Sequence, residues 1–118
     1  MFINFTNHPS PSWSETQLTA AQSHGKVVDI PFPNIDPNST NEDILTLAQD
    51  YAQRIAAMSP KAVLCQGEFV FAFAIVTELK KRGISIVAAC SQRCSIEHTD
   101  GKVTKKVTEF RFIQLREY

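Results

Sequence analysis

Short apolar runs alternate along the chain with longer segments in which apolar residues recur at helical spacing. The apolar runs predict four β-strands, over residues 1–5, 27–30, 62–65 and 84–90. The segments between them predict three helices: one from a cap at Ser12 or Ser14 to about Ser23, one from a cap at Thr40 or Asn41 to Met58, and one over residues 69–81. The chain therefore predicts regular alternation of strands and helices.

The third helical segment is apolar on every face. Its phenylalanines favour a strand, but its length and the Gly83 stop favour a helix. A surface helix normally carries a polar stripe. One face of this helix can pack on a sheet, and the opposite face then needs another cover. We expect a homodimer with this helix at or near the interface, and the alternative is that the C-terminal hairpin folds over it.

The end of the chain has a different pattern. Asp100-Gly101 between polar-apolar segments is typical of a hairpin turn. Residues 104–115 then alternate, with Phe110 and Phe112 on one face and Arg111 and Ile113 on the other. This pattern predicts an antiparallel hairpin added to the alternating core.

The order of elements predicts an α/β fold. We expect a Rossmann-like, mostly parallel sheet flanked by helices, joined by right-handed crossovers and completed by a C-terminal β-hairpin. The 118 residues suit a single domain over residues 1–118. A ferredoxin-like α+β sandwich is the alternative fold.

Charge and composition limit the partners. Twelve basic and twelve acidic side chains give a formal net charge of zero, whereas proteins that bind duplex or long-strand nucleic acid are usually basic. A small anionic ligand held by one or two local cations remains possible. Residues 1–5 are too short for a signal peptide, and no apolar run approaches membrane-spanning length. We therefore expect a cytoplasmic protein with no membrane partner.

The cysteines and histidines predict neither a metal site nor a cofactor. Cys65 and Cys90 lie in apolar runs, and the odd total of three cysteines fits free thiols in a reducing compartment. Cys90 and Cys94 are not followed by a second pair, and His24 and His98 have no carboxylate at ligand spacing.

Polar residues follow three of the four predicted strands. They are Asn7, His8 and Ser10 after the first strand, Gln66, Gly67 and Glu68 after the third, and Ser91, Gln92 and Arg93 after the fourth. Because parallel strands end at one edge of a sheet, where ligands bind near the topological switch point, we expect these residues to form a site. The segment 31–33 after the second strand is apolar and could wall the pocket.

Several of these residues have a functional and a structural interpretation. His8 could transfer a proton or could simply stabilise a turn. Arg93 could bind an anionic ligand, because it has no obvious local partner in the sequence. Glu68 either acts chemically or complements a helix dipole. Gly67 allows close approach of a ligand to the backbone at a helix N-terminus. Trp13 stacks on a base or packs on the core.

The strand ends also carry a family resemblance. A first strand followed by Asn7-His8-Pro9, a central Gly67-Glu68 before a helix, and a fourth strand followed by Ser91-Gln92-Arg93 resemble the small CRISPR-associated ring nucleases and their CARF-like relatives. The resemblance covers residues 4–93. It implies a dimer that binds a cyclic oligoadenylate across the subunit interface and cuts it without metal.

The resemblance also implies roles for the site residues. His8 and Ser10 match the ligand-facing loop after the first strand, and Arg93 matches the basic position after the fourth. In metal-free cleavage a ribose 2′-hydroxyl attacks the adjacent phosphate, His8 protonates the leaving oxygen and Arg93 stabilises the phosphoryl charge. The remaining residues expected to contact the ligand or assist are Asn7, Trp13, Gln66, Gly67, Glu68, Ser91 and Gln92.

We therefore expect a metal-independent ring nuclease that degrades a cyclic oligoadenylate, with cyclic tetra-adenylate favoured. One alternative is a CARF-like binding module that holds the ligand without cutting it. Another is a small nucleoside-processing enzyme in which Glu68 is the nucleophile.

Overall fold

A computed structural model describes all residues from Met1 to Tyr118 and has five strands, three α-helices and one 3₁₀ turn. The strands are β1 (Phe2–Phe5), β2 (Val27–Asp29), β3 (Ala62–Cys65), β4 (Ser85–Asp100) and β5 (Val103–Glu117). The helices are α1 (Glu15–Gln22), α2 (Asn41–Ala57) and α3 (Phe69–Lys81), and the 3₁₀ turn spans Ser10–Ser12.

The strands form one sheet in the order β2-β1-β3-β4-β5. β1 to β4 are parallel, and β5 pairs with β4 in the antiparallel direction. The predicted α/β class is therefore confirmed, with a mostly parallel sheet and a C-terminal hairpin. None of the three α-helices combines the length and the apolar character that a membrane span requires.

The two faces of the sheet are covered unequally. Buried side chains of α2 and α3, among them Ile55 and Phe71, pack with Phe5 of β1 in the larger core. On the opposite face α1 contributes only Ala21 to a smaller core around Phe2. From β1 the chain passes through α1 to β2 on one side of β1. It then crosses back through α2, on the other face of the sheet, to β3 on the other side of β1. The order in which strands are added therefore reverses between β1 and β3. This is the topological switch point, outside which ligands bind in open α/β sheets.

The helix starts follow the predicted caps. Ser14 caps α1 by accepting a hydrogen bond from the Gln17 N–H, and Thr40 forms a capping box with Asp43 at α2. Glu68 caps α3, where its two carboxylate oxygens accept from the backbone N–H groups of Val70 and Phe71 at 3.0 and 2.8 Å.

The prediction for the fourth strand was wrong at its carboxyl end. β4 does not stop at Cys90 but continues to Asp100, so Ser91, Gln92 and Arg93 lie within a strand rather than in a loop. The physical reason is the hairpin: Gly101, with φ of +60°, makes a two-residue turn, and β5 then pairs with β4 along its whole outer length. Of the two turn residues only Gly101 has positive φ, as in a type II′ turn.

The hairpin contains one irregularity at the edge of the sheet. Cys90 lies opposite Gln114, but Ser91 lies opposite Phe112, so Ile113 is an extra residue in β5. Such a bulge bends the strand and re-aims its side chains. Beyond it, residues 91–100 and 103–112 pair only with each other, and we call this two-stranded segment the ribbon.

Candidate functional site

A hollow of about 550 Å³ lies at the carboxyl edge of the sheet, next to the topological switch point. We call it the edge hollow. Its lining comes from the loop after β1, the start of α1, the end of β3, Ala89 within β4, and the root of the ribbon. The lining residues are Thr6, His8, Ser12, Trp13, Ser14, Gln17, Leu64, Gln66, Ala89, Ser91, Phe110 and Phe112. Its volume falls within the range of about 300–1,000 Å³ that small-ligand sites occupy.

The edge hollow gathers four of the residues expected from sequence. His8, Trp13, Gln66 and Ser91 line it together. Gln66 is held in place because its Oε1 accepts a hydrogen bond from the Ala89 N–H at 2.9 Å. This bond joins the residue after β3 to the next strand, so the floor of the hollow is a continuous part of the sheet.

Arg93 and Gln92 lie on opposite faces of the ribbon. Side chains of a strand alternate between faces, and Arg93 pairs with Phe110, which lines the edge hollow. Arg93 therefore lies one strand step beyond Ser91 on the same face as the hollow. Gln92 pairs with Arg111 on the other face. In a loop Gln92 and Arg93 could contact the same ligand, but in this strand their side chains lie on opposite faces.

A hydrogen-bond network beneath the loop after β1 positions His8. The carbonyl oxygen of His8 accepts from Asn4 Nδ2 at 2.8 Å and from Trp13 Nε1 at 3.0 Å. The His8 N–H donates to Thr6 Oγ1 at 3.1 Å, and that hydroxyl donates to Asn4 Oδ1 at 2.7 Å. The backbone of His8 is thus fixed, while its imidazole is exposed toward the hollow.

Asp29 at the end of β2 completes this network. Its Oδ1 accepts from Asn4 Nδ2 at 3.0 Å. Its Oδ2 accepts from the Ser10 N–H and Oγ at 3.1 and 3.0 Å. Ser10 is therefore a structural partner of Asp29 and is not among the residues that line the edge hollow.

Three expected site residues lie elsewhere. Asn7 and Glu68 line a separate hollow of about 420 Å³, together with Phe32 and the residues that follow it. The Glu68 carboxylate is occupied by the two N–H groups of the α3 cap. The space beside Gly67 is filled by the Phe32 ring, which a Cβ on Gly67 would approach to 2.4 Å. The side of Gly67 that faces Phe32 is therefore closed to a ligand, and Gly67 otherwise lines, with Gln66, a groove of about 840 Å³ along α3.

Sequence reasoning missed several residues of the site. Thr6 did not stand out in the pattern. Ser12 and Ser14 were expected only as caps of the first helix, yet both line the hollow together with Gln17. Phe110 and Phe112 were expected to share a face, but only the strand register brings that face to the hollow. Asn4 and Asp29 carried a usable signal, because each is a polar residue inside a short apolar strand and so needs a hydrogen-bond partner.

The groups in and around the site differ in their capacity for chemistry. His8 is the only ionisable side chain that lines the hollow, and an imidazole can act as a general acid or base. No group of three His, Cys, Asp or Glu side chains could together hold a metal ion. On the opposite side of the sheet, burial raises the pKa of the Cys65 thiol to about 12. Such a thiol stays protonated and is a poor nucleophile.

Comparison with known proteins gives one match. The model of the Uncharacterized protein MJ1673 family matches residues 1–116, which is nearly the whole chain. Among curated proteins no match was found, and among solved structures none was found either.

Proposed function

The chain belongs to the Uncharacterized protein MJ1673 family, and we propose that it binds a cyclic oligoadenylate at the edge hollow. One observation carries the proposal. Aromatic rings from two distant parts of the chain, Trp13 and the pair Phe110 and Phe112, meet hydrogen-bonding side chains at the switch point of a parallel sheet. This composition suits a ligand that combines flat bases with polar sugars.

The aromatic side chains suit the bases. Stacking of a base on an aromatic side chain contributes roughly 1–3 kcal/mol per base in single-stranded nucleic acid binding. Amide and hydroxyl groups on Gln66 and Ser91 lie in the same hollow and can hydrogen-bond to base edges or ribose hydroxyls. The hollow therefore offers both kinds of contact that a nucleotide needs.

Arg93 supplies the cation for phosphate. It is exposed and lies on the hollow face of the ribbon next to Ser91. One guanidinium can hold a phosphate through two hydrogen bonds. A chain with zero formal net charge does not bind long nucleic acid strongly through phosphates, so a short or cyclic ligand fits better than a long strand.

The geometry supports binding more directly than cutting. Cleavage assisted by both an acid and a base needs two such groups near one phosphate. The hollow holds His8, but Glu68 caps α3 and lines a different hollow. We therefore place ligand binding first. The ring-nuclease activity expected from the resemblance is the second candidate, favoured by the exposed imidazole of the well-positioned His8.

Equilibrium binding of labelled cyclic tetra-adenylate, in the presence of EDTA, tests the proposal. We expect Phe112→Ala and Gln66→Ala to weaken binding by about tenfold, corresponding to about 1.4 kcal/mol each. Leu45→Ala is the matched control, because Leu45 is an exposed apolar residue of α2 outside the hollow. If the wild-type chain binds no cyclic oligoadenylate of any ring size at micromolar concentration, the proposal is wrong.

Product analysis of the same samples separates the two candidates. A ring nuclease converts the cyclic ligand to linear products, and His8→Ala abolishes turnover while keeping most of the affinity. A binding module returns the ring intact after long incubation at high protein concentration. In both cases Arg93→Ala weakens binding, because the phosphate loses its cation.

A further inference from the structure

Beyond its root at the edge hollow, the ribbon extends from the sheet without strand pairing to the rest of the chain. β3 pairs with β4 only as far as Val87, and beyond the bulge the two outer strands have only each other. Ten residues of strand span about 33 Å, which accounts for much of the 56 Å length of the molecule. A two-stranded hairpin alone is marginally stable in water, so a third element is needed to cover it.

One face of the ribbon carries an apolar strip. Ile96 pairs with Val107, and Cys94 and Val103 lie on the same face. Strand alternation from Ile86, which packs in the α2–α3 core, places this face on the α2–α3 side of the sheet where the ribbon begins. The same face also carries two basic residues, Lys105 and Arg111, and two acidic residues, Asp100 and Glu109, so its formal charges balance.

A second uncovered apolar surface lies on α3. The Phe69 side chain is 89% exposed and that of Phe73 is 74% exposed, and Val70 is exposed beside them. We call these three residues the α3 surface. They line a groove of about 840 Å³ that ends at Lys80 and Tyr118. The hairpin of the same chain does not cover them, so that alternative for the third helix is excluded.

The two surfaces are both apolar, and charged residues lie beside each of them. α2 packs beside α3 and has Glu42 and Asp43 in its first turn. Both helices follow strands of the parallel sheet, so both begin at its carboxyl edge. The acidic start of α2 thus lies at the edge where the α3 surface begins. Because the ribbon face carries charges of both signs, pairing with α2 can fix the register of a contact but adds no net attraction.

We propose that two copies of this chain form a two-fold dimer in which the ribbon of each lies across the α3 surface of the other. Ile96 and Val107 then pack against Phe69 and Phe73. The occupant is a second copy because each chain carries both halves of the contact. A two-fold axis repeats the contact, so the ribbon and the α3 surface of both copies are covered at once.

The area available is sufficient for a dimer. A ribbon face about 33 Å long and two strands wide, at about 5 Å per strand, offers roughly 330 Å². Two largely exposed phenylalanines offer roughly 300 Å² more on the α3 surface. Counted on both copies, the interface reaches the lower end of the roughly 1,200–2,000 Å² that stable specific complexes bury. The proposal does not depend on the ligand, since every group in it lies outside the edge hollow.

Light scattering or sedimentation equilibrium of the full chain without nucleotide gives the first test. We expect a mass twice the 13.2 kDa of one chain. Phe73→Lys and the double variant Ile96→Lys/Val107→Lys should each give single chains. Both place charge on side chains that are at least partly exposed in the monomer, so circular dichroism should show an unchanged fold. Leu45→Lys is the control, an exposed leucine of α2 outside both surfaces, and should stay dimeric.

Mixing the two dissociated variants tests whether the ribbon of one chain contacts the α3 surface of the other. The Phe73→Lys chain keeps an intact ribbon, and the Ile96→Lys/Val107→Lys chain keeps an intact α3 surface. A mixed dimer therefore regains one complete contact, about half of the interface. The mixture should associate at concentrations well above those at which the wild type dimerises, where either variant alone stays monomeric. A symmetric contact of α3 with α3 gives no such recovery.

Three outcomes overturn the proposal. The first is a wild-type chain that is monomeric at micromolar concentration. The second is a dimer that survives either variant or that Leu45→Lys also dissociates. The third is a mixture of the two variants that associates no more than either variant alone at those higher concentrations.

Discussion

The indole Nε1 of Trp13 donates a hydrogen bond to the carbonyl oxygen of His8 at 3.0 Å. The aromatic side chain that walls the edge hollow therefore also holds the backbone of the histidine beside it. Trp13 packs edge-on against Phe2 in the small core as well. Its packing and its position in the site are thus parts of one arrangement, although the sequence presented them as alternatives.

Trp13→Phe tests this dual role. The variant keeps a ring for packing on Phe2 but removes the N–H donor, so we expect a loss of about 1 kcal/mol in the free energy of unfolding. Ligand affinity should also fall, because the carbonyl oxygen of His8 loses one of the hydrogen-bond donors that hold its loop. Urea unfolding followed by circular dichroism measures the first effect and equilibrium binding the second. Unchanged values for both contradict the assigned role.

Asp29→Asn tests the network that links β2 to the loop after β1. The carboxylate accepts three hydrogen bonds, from Asn4 Nδ2 and from the N–H and hydroxyl of Ser10. An amide can present only one acceptor oxygen, so we expect a loss of about 1–2 kcal/mol in the free energy of unfolding. Asp50→Asn is the matched control, because Asp50 makes only an exposed 3.9 Å ion pair with Arg54. Equal effects of the two substitutions would argue against a structural role for Asp29.

Gly67→Ala tests whether the glycine serves packing. A Cβ at this position meets the Phe32 ring at 2.4 Å, and overpacking of this kind costs about 1–3 kcal/mol. Replacing Phe32 by Leu in the same chain makes room for the methyl group. The double variant should therefore be more stable than the sum of the two single effects predicts, as a double-mutant cycle in urea would show. Additive effects are the contrary result.

Glu68→Ala distinguishes a helix cap from a catalytic base. Loss of the cap should cost about 0.5–2 kcal/mol of stability. Ligand affinity and any ring-opening rate should change by less than about twofold, because the carboxylate lies outside the edge hollow. A Glu68→Ala variant with normal stability but no turnover would instead indicate that Glu68 acts in catalysis, as the sequence suggested.

The buried Cys65 thiol predicts how stability depends on alkaline pH. Its pKa is raised from 9.0 to about 12 by burial, so above pH 9 the unfolded chain releases a proton that the folded chain retains. The stabilisation is complete below pH 9 and is lost as the pH rises toward 12, by up to about 4 kcal/mol. Burial raises the pKa of Tyr118 in the same direction.

Cys65→Ala isolates the contribution of this thiol. The variant is less stable at neutral pH because it leaves a small cavity, but its free energy of unfolding should fall less steeply between about pH 9 and 12 than that of the wild type. Urea unfolding at several pH values gives both slopes. Parallel curves for the two proteins would contradict the assignment to Cys65.

Short-range pattern was enough to predict the core of the fold. β3 and α3 have the predicted bounds, and β1 and β2 differ from the prediction by one residue. The reason is that apolar periodicity, helix caps and Gly or Pro stops act within a few residues of one another. The position of His8 and Gln66 at the carboxyl edge also followed, because strand order and parallel direction bring loops of the same kind together.

Long-range pairing decided the rest. The polar residues Ser91, Gln92 and Arg93 resemble a loop in isolation, but their pairing with residues 111–112 and Phe110 makes them a strand, and its alternation puts Gln92 on the other face. Gly67 resembled a ligand contact until Phe32, more than thirty residues earlier, filled the space beside it. The chain pattern thus determined which elements form and which edge they share. Only the register between distant segments decided which side chains face the hollow, since a shift of one residue in a strand reverses its faces.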